Sequence, residues 1–253
     1  MTFDPYDRVL VSPRYLAGAG LDRLGEAIGP LVNRAGWSTE QDRTLGTLAV
    51  FSPDCNVTIA LDTGHQRGDW WTVSQEDPSW RVKFTRQTPI EAIGPMLYLL
   101  PQITLGDHRF DAELGAAPPA LHDTAGQSAW SKEELPDGVR YTSPDGHCSL
   151  EHTPQASGEQ VRWVFQHSVF DGFDTHWTAT FSATTPQPLV DQFFSNLASG
   201  FPVERTFIDL PFILQGTDEA LITPVHGTRL NPGLDHAVAQ IARIPETPPA
   251  RRR

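Results

Sequence analysis

The sequence predicts an α+β fold of two tandem repeats, each a four-stranded antiparallel sheet followed by a helix, and three observations carry that prediction. Ser-Pro-Asp occurs at Ser52 and again at Ser143, each time opening a strand-like run. Further along each copy an aromatic pair recurs, Trp80 with Phe84 and Trp177 with Phe181, and each pair is followed by Thr-Pro, at Thr88 and Thr185. Trp71 and Trp163 also occupy matching places, with a longer loop before the last strand of the second copy. Repetition at this scale decides architecture before single motifs are weighed.

In chain order, Val9 to Gly18 reads as a strand and turn, and Leu21 to Arg34 as an amphipathic helix with Leu21, Leu24, Ile28, Leu31 and Val32 on one face. The first unit's strands are expected at 48–52, 56–62, 70–74 and 80–85; in the last, Trp80, Val82 and Phe84 alternate with Arg81, Lys83 and Thr85. Ser-Pro-Asp is the turn between the first two strands of each unit. Pro sets the corner and donates nothing to a ladder, Asp accepts local backbone hydrogen bonds, and Asp145-Gly146 is a hairpin signal. A helix capped by Thr88, with Pro89 at its first position, then carries Ile90, Ile93, Leu97 and Leu100 on one face, and Gly94-Pro95 predicts a kink.

Residues 111–127, rich in Ala, Pro and Gly, read as a linker. The second unit's strands fall at 138–143, 148–153, 161–167 and 175–182, and its helix follows Thr185-Pro186 with Leu189, Val190, Phe193, Phe194 and Leu197 buried. Beyond Gly200, Phe207 to Leu214 is apolar, Asn231-Pro232 starts a last helix through Ile244, and Pro245 to Arg253 frays as a basic tail. The organisation is therefore 1–110 (N-terminal strand and helix plus first unit), 111–127 (linker), 128–200 (second unit) and 201–253 (C-terminal extension).

A chain of 253 residues buries a substantial core, and 39% hydrophobic with 20% charged residues excludes global disorder. The net charge of −12 opposes unspecific binding along nucleic acid and leaves only a local basic patch to do so. Two cysteines, Cys55 and Cys148, suit a reducing compartment rather than a disulfide framework. No apolar run approaches the roughly 20 residues of a membrane span, and the opening residues lack a secretory pattern. A cytoplasmic protein is expected.

Catalytic motifs are lacking. His147, His152, His167 and His176 cluster in the second unit, but without HxH, HxxxH or CxxC spacing, so no metal and no cofactor is expected. Cys148 beside His147 is a weak nucleophile pair, because adjacent strand residues face opposite ways; a buried structural Cys is the simpler reading. Neither G-x-S-x-G, a P-loop nor a Rossmann glycine pattern occurs, and the glycines of Gly18 to Leu21 lack the βαβ context for phosphate binding.

Two kinds of residue suggest binding instead. Trp70 and Trp71 are adjacent in a strand, so one of them is expected to leave the core face as an aromatic platform. Arg81, Lys83 and Arg86 form a basic strip on the first unit, where the second has Thr178, Thr180 and Ala183. The bland counterparts are a solvated strand face for the strip and two cores for Trp80, Phe84, Trp177 and Phe181.

Val9 to Gly18 (VLVSPRYLAG), the two Ser-Pro-Asp tripeptides and the W-x-x-x-F…TP ending of each unit together resemble the SPDY family, a domain-of-unknown-function family of streptomycetes and related actinobacteria. The resemblance covers most of residues 8–200, although Cys55 and Gly146 stand where the motif has Tyr. It implies no activity. Four strands and a helix, twice, also resemble the topology of Whirly and PUR-type nucleic-acid-binding proteins. That topological likeness implies a non-enzymatic protein binding nucleic acid, DNA first, through Arg81, Lys83, Arg86 and Trp70, with Arg251, Arg252 and Arg253 of the tail assisting. The alternative is an adaptor for a protein partner, with self-association a further option and an enzyme third.

Overall fold

A computed structural model describes residues 3–64, 68–106, 118–158, 160–170, 174–216 and 220–225. It is a mixed α/β structure dominated by antiparallel sheet. Ten strands form one sheet: β2 (Ser38–Asp42), β3 (Thr47–Phe51), β4 (Val57–Asp62), β5 (Asp69–Gln75) and β6 (Trp80–Thr85) on one side, and β7 (Ser131–Leu135), β8 (Gly138–Thr142), β9 (Cys148–His152), β10 (Val161–Phe170) and β11 (Asp174–Ser182) on the other. The spatial order is β2-β3-β4-β5-β6-β11-β10-β9-β8-β7. Each half is a meander, and the halves meet where β6 pairs with β11, Phe84 opposite Ala179 and Val82 opposite Phe181. The two sheets expected from the sequence are therefore halves of one.

One face of this sheet is covered by α2 (Ile90–Tyr98) and α5 (Gln187–Leu197), which pack against each other; α1 (Leu24–Ala35) flanks α2, and α4 (Leu121–Gln127) flanks α5. The four recurrent aromatics lie under them, Trp80 and Trp177 at 1% exposure and Phe84 and Phe181 at zero. Phe193 of α5 reaches both halves, with ring centroids 5.3 Å from Phe84 and 5.0 Å from Phe165. The apolar core is thus continuous across the seam.

Several expectations change. Leu121–Gln127 is a helix inside the expected linker, because Leu121, Thr124 and Ala125 share a buried face and Asp191 Oδ1 accepts the Leu121 N–H at 3.1 Å. The edge strands β2 and β7 lie outside the four strands expected of each unit. The first-unit helix runs through Gly94-Pro95, with Pro95 inside α2, and ends at Tyr98, so Leu100 lies in a separate helix, α3 (Leu100–Leu105), with Pro101 in its first turn. Pro89 and Pro186 are the N-cap residues, so neither Thr88 nor Thr185 caps; Thr185 Oγ1 instead sits 3.0 Å from Ser182 Oγ. The expected helix 231–244 and the arginine tail lie outside the described residues.

Both Ser-Pro-Asp turns sit where the pattern places them, with one hydrogen-bond scheme. Ser52 Oγ donates to Asp54 Oδ1 (2.6 Å) and accepts the Val57 N–H (2.9 Å), while Ser143 Oγ donates to Asp145 Oδ1 (2.5 Å) and accepts the Cys148 N–H (2.9 Å). The Ser52 hydroxyl holds the Asp54 carboxyl below the usual carboxylate range. The next residue is left-handed in both turns, φ +58° at Cys55 and +80° at Gly146. A side chain is strained there and glycine is not. Cys55→Gly is therefore expected to stabilise the protein by about 0.5–1 kcal/mol, read as a higher denaturant midpoint. A midpoint at or below wild type counts against this account.

A second, three-stranded sheet is built from distant segments. β1 (Arg8–Ser12) lies between β12 (Val203–Thr206) and β13 (Leu221–Pro224), antiparallel to both. Val9, Val11, Val203 and Arg205 face inward. The N-terminal strand thus pairs with strands of the C-terminal extension.

Candidate functional site

The opposite face of the ten-stranded sheet carries no helix among the described residues. Strand pairing runs a single row of side chains across it: Glu40, Ala49, Ala60, Thr72, Lys83, Thr180, Val164, Glu151, Arg140 and Glu133. At about 4.8 Å per strand the row spans roughly 43 Å. Apart from Lys83, its middle is small or β-branched, and Ala49 through Arg140 are all half-exposed. The other charges gather at the ends. The edge strands β2 and β7 carry Glu40, Asp42, Lys132, Glu133 and Glu134, which discourages edge-to-edge association.

Two basic residues of this face are held by carboxylates. Lys83 Nζ lies 2.7 Å from Asp69 Oδ2, and Arg140 donates from Nη2 (2.6 Å) and Nε (2.9 Å) to Glu151 Oε1, with Glu133 3.6 Å away. Arg81 is exposed on the face, and its backbone N–H donates to Ser182 Oγ at 2.9 Å. Arg86 is drawn elsewhere, its guanidinium 5.1 Å above the Trp70 ring. These three residues do not form one bare basic strip.

Trp70 is not an exposed platform. It is only 7% exposed, and Trp71 is 1% exposed. The register shifts between Asp69 and Trp71, so strict alternation fails at Trp70, whose ring lies under Arg86 and lines a pocket together with residues 19–22. Arg251, Arg252 and Arg253 fall outside the described residues.

The histidines and cysteines do not converge: no group of three or more metal-ligating side chains exists among the described residues. His152 stacks on Trp163 (5.4 Å, 7°) and His167 on Trp177 (5.8 Å, 13°). Burial, and then the nearby Arg162, push the His152 pKa down. Cys148 is fully buried, which raises its thiol pKa well above normal and keeps it inert. Gln75 Oε1 accepts from Trp80 Nε1 at 2.8 Å in the first half, so polar partners of the two core tryptophans differ.

The N-terminal motif works as a clasp, which the sequence does not announce. Tyr15, 5% exposed, donates to Asp145 Oδ2 at 2.7 Å, and the Tyr15 carbonyl accepts from Trp177 Nε1 at 2.9 Å. Burial, reinforced by Asp145, raises the Tyr15 pKa and keeps the hydroxyl a donor. Arg205, 1% exposed, uses all five of its N–H donors: Nη1 and Nη2 to the two Glu91 oxygens (2.6 Å each), Nε to Ala17 O (3.1 Å), Nη2 to Gly18 O (3.2 Å) and Nη1 to Glu204 O (2.9 Å). A Cβ at Gly20 (φ +64°) would lie 2.5 Å from the guanidinium, so the glycine is structural. The one local signal for this is Gly-Ala-Gly beside a helix, with no hint of the arginine that fills it.

With this geometry established, a family model described as SPDY, Domain of unknown function (DUF317), matches residues 142–203. The match runs from the end of β8 through α5 to the first residue of β12, and supports the SPDY resemblance for the second unit. No curated protein and no solved structure shows a significant match to the chain. No described helix is long and apolar enough to cross a membrane.

Proposed function

We propose that the protein is a non-enzymatic docking protein that holds a protein partner against the open face of its ten-stranded sheet. The observation that carries the reading is the pairing of two of that face's cations: Lys83 with Asp69, and Arg140 with Glu151 and Glu133. Phosphates would have to displace these carboxylates from a chain of net charge −12. A mixed-charge surface with small or β-branched residues on either side of Lys83 suits a protein surface instead. Its extent, roughly 43 by 17 Å and on the order of 700 Å², is close to the ~800 Å² each partner contributes to a standard interface.

Nucleic acid is the second reading, favoured by Arg81 standing exposed beside Lys83 on the same face. The likeness of two hairpin-linked sheet halves and their helices to a duplicated Whirly- or PUR-type unit supports it by topology, which is a fold-level warrant. The same order of Ser-Pro-Asp, Trp, Phe and Thr-Pro supports reading the halves as copies of one unit.

A photo-crosslinking residue at Thr72 or Thr180, tested in the cell of origin, is expected to give a discrete protein adduct that Ala60→Glu abolishes. Fluorescent DNA and RNA at low salt should show no binding. Absence of an adduct from both positions overturns the protein reading. Binding that weakens steeply with salt, and loses up to about three ion-release units in Arg81→Ala/Lys83→Ala/Arg86→Ala, replaces it with the nucleic-acid one.

A further inference from the structure

On the helix side, residues of α1, α2, α5, the Arg14 turn and Arg23 line an open pocket of ≈ 280 Å³ that the proposed docking face does not use. Its polar walls are Arg14, Arg23, Glu26 and Glu91, and its apolar ones include Ala27 and Ile90.

The charges in and behind this pocket do not balance. Both Glu91 oxygens are taken by Arg205 at 2.6 Å. Arg23 therefore reaches Glu91 only at 3.6 Å, and Glu26, whose side chain is 71% exposed, at 3.7 Å. Arg14 has no carboxylate hydrogen-bonded to it among the described residues. Its Nη1 donates to Asn196 O at 2.7 Å and its Nη2 reaches Phe201 O at 3.5 Å, both neutral carbonyls, while its Nε is buried without a hydrogen bond. Among the described residues in and behind the pocket, three guanidinium groups thus face two carboxylates, in a chain that is acidic overall.

We propose that this pocket binds a small organic monocarboxylate, its carboxylate shared by Arg14 and Arg23 and its apolar body against Ala27 and Ile90. One negative charge closes the local imbalance, and a guanidinium fork matches a carboxylate in shape as well as charge. The volume lies just below the usual small-ligand range of about 300–1,000 Å³, which limits the occupant to an acid no larger than about one six-membered ring beyond the carboxylate. Desolvation by burial, which lowers the Arg14 pKa, is relieved by such a partner.

The test uses the full chain, with acetate, butyrate and benzoate as probes, benzamide as the uncharged match to benzoate, and inorganic phosphate as a competing anion. Binding is read by thermal unfolding and by amide shifts in an NMR titration. Butyrate or benzoate is expected to bind with a Kd under about 10 mM, with shifts centred on Ala27 and Ile90. Benzamide and phosphate should bind far more weakly. Arg23→Gln, at a side chain about one-third exposed, is expected to leave the unliganded melting temperature near wild type while weakening binding by about tenfold or more. Arg14→Lys keeps the charge without the fork and should weaken it as well. The proposal is overturned by no carboxylate binding up to about 10 mM, by benzamide or phosphate matching the carboxylates, by shifts confined elsewhere, or by affinity unchanged in Arg23→Gln.

Discussion

Trp177→Ala is expected to destabilise the protein by about 3–5 kcal/mol, enough to unfold a marginal domain. The side chain is 1% exposed, stacks on His167, and lies next to the seam between the sheet halves. Its loss leaves a large cavity and strands the Tyr15 carbonyl, which accepts the indole N–H at 2.9 Å. Trp177→Phe separates the two contributions: it keeps most of the apolar volume but removes the donor, and should cost visibly less. The check is a urea midpoint for each variant. A Trp177→Ala midpoint near that of wild type would show that this core closes without the indole.

Glu91→Ala should be comparably damaging, about 3–5 kcal/mol, for an electrostatic reason. It removes two of the five hydrogen bonds of Arg205 and leaves that guanidinium buried at 1% exposure without its counter-charge. The exposed pair Lys83–Asp69 has a similar distance, 2.7 Å, with both side chains about 40% exposed, and breaking it with Asp69→Ala should cost no more than about 1 kcal/mol. Replacing both Glu91 and Arg205 by apolar residues of similar size is expected to recover much of the loss, since the penalty belongs to the unpaired charge rather than to the missing bond. A double-mutant cycle measures this directly. Equal effects for Glu91→Ala and Asp69→Ala would remove burial as the deciding factor.

The legible parts of this fold are those where burial imposes a pattern. β6 alternates Trp80, Val82 and Phe84 inward with Arg81, Lys83 and Thr85 outward, so its residue order alone tells its two faces apart. Ser-Pro-Asp is equally legible, because its hydrogen bonds lie within six residues. β2 (STEQD) and β7 (SKEEL) carry no apolar alternation, being sheet edges exposed almost throughout, and nothing local distinguishes them from loops. The seam is illegible for another reason. β6 and β11 pair through three residues each, and neither sequence names its neighbour.

The candidate site divides in the same way. The parity of Arg81 and Lys83 on one face is readable, whereas the pairing of Lys83 with Asp69 depends on how β5 and β6 lie together. Trp70 misleads because a register shift breaks the alternation from which its exposure is inferred. Arg205 gives no signal: in Val203-Glu-Arg-Thr206 it reads as a surface residue, and only the distant Glu91 and the Ala17 and Gly18 carbonyls make it a buried one.

The placement of β1 between β12 and β13 has a consequence for how the protein is made. Arg8 and its partner Glu204 are 196 residues apart, yet their ion pair is only 2.7 Å long. At about 5–20 residues per second the ribosome takes roughly 10–40 s to deliver the second strand after the first. Throughout that interval β1 has free backbone on both edges, and Val9 and Val11 lack the cover that Val203 and its neighbours provide. The meander of β2 to β6 needs no such wait, since each strand pairs with the one before it. During synthesis the N-terminal strand therefore waits for its partners far longer than any strand of the β2 to β6 meander.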